Sequence, residues 1–124
     1  MTTSSPAVAV IEGSLCQLTR TGARRVGHSP LATAVVEFLP GELCYFVREH
    51  TFGLLPGLPN LYCLDAGFRL LWMAEWPETS DPCAALVGLD GDTLVTTSSA
   101  GATVRLSAAT GRLRGVTAPL AVAS

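Results

Sequence analysis

NLYCLDAGFRLLW, residues 60–72, sets two apolar runs on either side of Asp65-Ala66-Gly67. An alternating run, a turn built from polar and small residues, and a returning run that ends at Trp72 predict a β-hairpin. The phrasing recurs twice, as SLCQLTRTGARRV from 14 and ATVRLSAATGRLRG from 102. Leu18, Leu64 and Leu106 share one register, and Cys16, Tyr62 and Val104 lie two residues earlier on the same strand face. Polar Thr19, Asp65 and Ser107 follow each leucine. Arg24, Arg69 and Arg112 come after a glycine-containing turn, with one residue of slack.

The upstream halves match too. VVEFLPGELCY lies about 50 residues before ALVGLDGDTLV, with Gly41 on Gly91. Proline and glycine punctuate short, partly β-branched apolar runs, and no window carries a helical period. The strands expected are 7–11, 14–19, 23–27, 33–38, 42–48, 60–65, 69–75, 84–89, 93–98, 102–107 and 111–116. Pro40-Gly41 and Asp90-Gly91 read as hairpin turns, and Gly13, Gly22, Gly67 and Gly111 serve the other pairs. The expectation is one all-β domain over 1–124, with antiparallel four-stranded meanders at 33–75 and 84–116 and a partial third at 7–27. A small open β-sandwich is the alternative. In the expected strand 69–75, Trp72 shares the inward face of Leu70.

Composition narrows the function. The 124 residues are 48% apolar and only 15% charged, so a core is affordable and disorder is excluded. The net charge is −2, there is no lysine, and the eight arginines are scattered apart from Arg24-Arg25, which leaves no footprint for nucleic acid. The apolar runs fall short of the roughly 20 residues of a membrane span. MTTSSPAVAVIEG lacks the basic start of a secretory signal, which points to the cytoplasm. Cys16, Cys44, Cys63 and Cys83 are spaced by 28, 19 and 20 residues, without the close pairs of a zinc site. They are expected to be free thiols in a reducing compartment.

LYCLDAGFRLLW and VRLSAATGRLRG resemble the repeats of quinoprotein-like β-propellers, whose blades commonly end in Leu-Asp-x-x-x-Gly-x-x-x-Trp. PNLYCLDAGFRLLWMAE followed by DGDTLVTTSSAGATVRLSAATGRL is similar to a family of short bacterial proteins of unknown function. The likeness covers about residues 33–115 and implies blade-type meanders. It departs from the pattern where Gly67 comes early, and where Ser107 and Gly115 stand for Asp and Trp. It therefore implies the blade without the redox chemistry, and no cofactor.

The chemical candidates are sparse. Asp90-Gly91-Asp92 reads as a turn because the alternating ligands of a calcium loop do not follow it. Asp65 reads as an acceptor for turn N–H groups, His28 as a connector residue, and His50 as a loop histidine without a nucleophile. No catalytic or metal site is expected. The suggestive stretch is TFGLLPGLPN, which crowds Phe52, Leu54, Leu55 and Leu58 into a Gly/Pro-rich loop; with Trp76 they form the candidate interaction surface. The expected role is a non-enzymatic protein-interaction module of the immunity or adaptor type, working as a homodimer or higher homo-oligomer. The alternatives are a small-molecule or sugar binder formed by propeller-like assembly, and, last, an enzyme organised around His50.

Overall fold

The computed structural model describes residues 7–119. Eleven strands follow one another: β1 Ala7–Ile11, β2 Ser14–Leu18, β3 Arg24–His28, β4 Val35–Gly41, β5 Cys44–Glu49, β6 Leu61–Asp65, β7 Leu70–Met73, β8 Cys83–Asp90, β9 Thr93–Ser98, β10 Thr103–Ser107 and β11 Leu113–Thr117. They form three antiparallel sheets in the orders β1-β2-β3, β4-β5-β6-β7 and β11-β10-β9-β8, so every connection within a sheet is a hairpin step. The fold is all-β, with meanders of three, four and four strands and none closed on itself. No helix long and apolar enough to cross a membrane occurs among the described residues.

Alternation decides which sheet faces which. On the middle sheet Val47, Tyr62 and Leu64 turn toward the first sheet and bury Leu15 and Val35 with them. Phe46, Leu61, Cys63 and Trp72 turn the other way and pack against Leu94, Val104 and Leu106 of the third sheet. The repeat register is therefore a packing register. Leu64 and Leu106 are 1% and 0% exposed, each facing the preceding sheet. Leu18, at the same position in the first sheet, is only half-buried because no sheet lies beyond it.

Three expectations need correction. Leu70 does not share the inward face of Trp72: Cys63 pairs with Trp72 but Leu64 pairs with Leu70, so a bulge at Leu71 swaps the faces. Leu70 is exposed as a result, and Trp72 buried. In the β4–β5 hairpin the left-handed residue is Leu43 (φ 62), while Gly41 stays in the strand, where a Cβ would fall 2.7 Å from Cys44 Sγ. In the β6–β7 turn it is Phe68 (φ 65), not Gly67. The strain at half-buried Phe68 is offset by packing, because its ring stacks on Tyr45 at 5.4 Å and covers Gly27, where a Cβ would clash.

One indole spans the second and third sheets. Trp72 Nε1 donates to the Ala108 carbonyl at 3.3 Å, and its ring lies where a Cβ on Gly111 would come within 2.3 Å. Leu64→Ala and Leu106→Ala should each cost about 2–5 kcal/mol in urea unfolding. Arg69→Ala and Arg112→Ala, both exposed, should stay within about 0.5 kcal/mol. Equal losses at leucine and arginine would contradict this register.

Candidate functional site

The loop between β5 and β6 is the longest connection in the fold and carries the sequence candidates. Its base is rigid. Glu49 N donates to the Asn60 carbonyl at 2.8 Å, and Asn60 Nδ2 donates back to the Glu49 carbonyl at 2.8 Å. His50 N donates to Ala34 at 2.7 Å, and the Thr33 hydroxyl donates to the His50 carbonyl at 2.6 Å. Above this base the chain makes two successive turns, closed by Leu54 N to the Thr51 carbonyl and Leu58 N to the Leu55 carbonyl, both 3.2 Å. Gly53 and Gly57 each sit at the third position with φ 83, as a type II turn demands, and Pro56 stands at the second position of the second turn.

These turns push Phe52 and Leu55 outward, to 85% and 69% exposure. Leu54 and Leu58 point back and are half-buried. A cleft of about 360 Å³ runs between the loop and the segment before β8, lined by Thr51, Leu54, Leu55, Pro56, Thr79 and Pro82. Trp76 does not belong to this surface. It is buried in the apolar core, with Nε1 donating to the Asp81 carbonyl at 2.8 Å. An indole beside an apolar cluster with a carbonyl in reach gains more by packing than by facing water. His50 is exposed and caps the first turn, its Nδ1 accepting from Phe52 N at 2.9 Å.

Below the loop lies a group of residues that sequence reading passed over. Glu49 is buried, and its carboxylate accepts from Leu31 N (2.7 Å), Ala32 N (2.9 Å), Thr33 N (2.8 Å) and the Tyr62 hydroxyl. Tyr62 has one proton and gives it to Glu49, so its oxygen must accept from His28 Nε2 at 2.6 Å. His28 therefore carries a proton on Nε2. On the far side, Asn60 Nδ2 also donates to the Cys83 carbonyl (2.9 Å), and Cys83 N donates to Asn60 Oδ1 (3.0 Å). A continuous polar line thus joins β3, β5, β6 and β8, one or more strands from each sheet. Every buried side-chain polar atom among the described residues has a partner. The signal for Glu49 was present: Tyr45, Val47 and Glu49 alternate on one strand face, so continuing the period buries a carboxylate.

The environment sets the titration. Burial raises the Glu49 pKa, but the donors from Thr33, Tyr62, Leu31 and Ala32 outweigh it and hold the carboxyl below its ordinary value. Burial holds His28 below its ordinary value against the opposing pull of Glu49. Burial, then the Glu49 carboxylate, raises Tyr62. All four cysteines are free thiols. Burial pushes Cys63 and Cys83 up to about 12, Cys44 adding to the rise at Cys63. Asp65 Oδ1 accepts from Gly67 N (2.8 Å) and Arg69 N (2.9 Å), the turn role read from sequence. Asp92 is paired with Arg114 at 2.8 Å. No group of three or more His, Cys, Asp or Glu side chains is placed to share a metal ion among the described residues.

No family model matches the chain, and no curated protein is similar enough to align with it. For Glu49 and His28 alike, the folded pKa lies below the unfolded one, so the unfolded state binds more protons and stability rises with pH. Melting temperature should be level from neutrality up to the ordinary thiol value of 9.0, above which the raised Cys63 and Cys83 make it fall. On acidification it should fall first below the ordinary histidine value of 6.5, and again below the ordinary glutamate value of 4.5. His28→Gln should remove the upper step and keep the lower. A melting temperature that rises as the histidine range is crossed downward would contradict the assignment.

Proposed function

We propose that the protein is a non-enzymatic interaction module whose recognition surface is the loop between β5 and β6, acting in the cytoplasm as a homo-oligomer. The observation that carries this reading is the exposure of Phe52 and Leu55 at the tips of two tight turns on a hydrogen-bonded base. A flexible apolar loop would collapse onto the core. A loop held open by two glycine turns keeps its large side chains in water, at a cost that a partner would recover. The flanking cleft between the loop and Pro82 offers a partner a concave edge beside the two anchors. The low charge of the chain also supports association over nucleic-acid binding. An immunity or adaptor role fits such a module, and the blade-type resemblance fits it too, since blades serve as scaffolds for loops.

A photo-crosslinking side chain at position 52 or 55 should trap a protein partner in cells, whereas one at Val87, equally apolar and 61% exposed, should not. Phe52→Asp with Leu55→Asp should weaken capture about thirtyfold, the loss of a hot spot of about 2 kcal/mol, with melting temperature unchanged. Equal trapping at 52, 55 and 87 would contradict the proposal.

A further inference from the structure

The three sheets offer six edge strands, β1 and β3, β4 and β7, β8 and β11. Five of them carry a bulge that spoils the ladder. The unpaired residue is Gly27 in β3, Val36 in β4, Leu71 in β7 and Arg114 in β11, and β8 is interrupted at Ala84 and Val87. Bulges, charges and prolines are the usual defences of an edge against pairing with another chain. β1 has none of them. Its sequence is Ala-Val-Ala-Val-Ile, and its register with β2 is unbroken from Ala7 to Ile11.

The place beside β1 is one that the fold fills elsewhere. By the repeat register β2 corresponds to β6 and β10, so β1 corresponds to β5 and β9. Beyond β5 lies β4, and beyond β9 lies β8, each an antiparallel strand. Among the described residues no strand lies beyond β1. Among the described residues the first sheet is a three-strand copy of the four-strand unit.

The hairpin tells which groups are open. Glu12 (φ 51) and Gly13 (φ 79) form the two-residue turn, so Ile11 and Ser14 are its hydrogen-bonded closing pair. Alternation then directs the backbone groups of Ala7, Ala9 and Ile11 toward β2 and those of Val8 and Val10 toward the empty side. We propose that β1 is the seam of a homodimer, pairing antiparallel with β1 of a second copy about a two-fold axis at Ala9. The pattern is self-complementary. Val8 meets the partner subunit's Val10 as a hydrogen-bonded pair, and Ala9 meets the partner subunit's Ala9 as a close non-bonded pair, where only a small side chain fits. Val8 and Val10 already pack on the cluster of Leu15, Val35, Val47, Tyr62 and Leu64. The partner's valines would extend that cluster on the same face, toward the cleft of about 400 Å³ lined by Val8, Phe38, Pro40 and Tyr45. This deepens the homo-oligomeric part of the proposed function and leaves the loop free, so a loop that binds nothing does not touch it.

The test uses light scattering and oxidation of the whole chain. Wild type should have the mass of two chains at micromolar concentration. Ala9→Lys, which sets like charges face to face on a side chain turned away from the middle sheet, should give the mass of one chain with unchanged circular dichroism. In a Cys16→Ala background, needed because Cys16 lies opposite Ala9 within the sheet, Ala9→Cys should oxidise to a covalent dimer and Val8→Cys should not. A monomeric wild type would overturn the seam. So would a dimer that ignores Ala9→Lys, cross-links equally through position 8, or dissolves only with Phe52→Asp and Leu55→Asp.

Discussion

Glu49 is a carboxylate with 1% exposure, and the assembly of the three sheets turns on satisfying it. A charge taken out of water costs several kcal/mol unless it is repaid by hydrogen bonds of good geometry. Here three consecutive backbone N–H groups from the β3–β4 connection and the Tyr62 hydroxyl converge on it. Those donors come from the stretch that links the first sheet to the second. The connection cannot be rearranged without stranding the charge, so the carboxylate fixes where the second sheet begins relative to the first. Asn60 does the same for the third sheet with neutral groups, bonding the Glu49 carbonyl on one side and both backbone groups of Cys83 on the other.

Apolar packing is abundant on both sides of the middle sheet but is tolerant of sliding, since leucine on valine has little directional preference. The polar line supplies the direction. Glu37 adds a second tie of this kind, accepting from Arg48 Nε at 2.8 Å and from Leu86 N at 2.7 Å. The loop of Phe52 and Leu55 begins at Glu49 and ends at Asn60, so the exposed apolar side chains stand on a hydrogen-bonded base. A recognition surface gains by such mounting because less order has to be imposed on binding.

Much of the architecture could be read from the residues because it is local. Alternation and turn chemistry give all eleven strands within a few residues, and Leu64 and Leu106 fall where the repeat puts them. What escaped was long-range or irregular. The bulge at Leu71 reversed Leu70, and a one-residue slip in a strand leaves no mark in a pattern of consecutive leucines. The positive φ falls on Leu43 and Phe68 and not on the nearby glycines; at Phe68 the stacking partner Tyr45 is distant in sequence. Trp76 was grouped with the candidate interaction surface, but the Asp81 carbonyl supplies the acceptor that lets it bury. His28 and Tyr62 lie 34 residues apart, so their contact exists only once the sheets have stacked.

The central claim is that the buried carboxylate of Glu49 holds the sheets in register. Urea unfolding of Glu49→Gln at neutral pH tests it most directly, because the substitution keeps the size and shape of the side chain while placing an amide against donors that need an acceptor. The expected result is a single cooperative transition displaced by about 3 kcal/mol or more, the scale of breaking a buried charged network. A variant within about 0.5 kcal/mol of wild type, the range of an indifferent surface change, would contradict the claim.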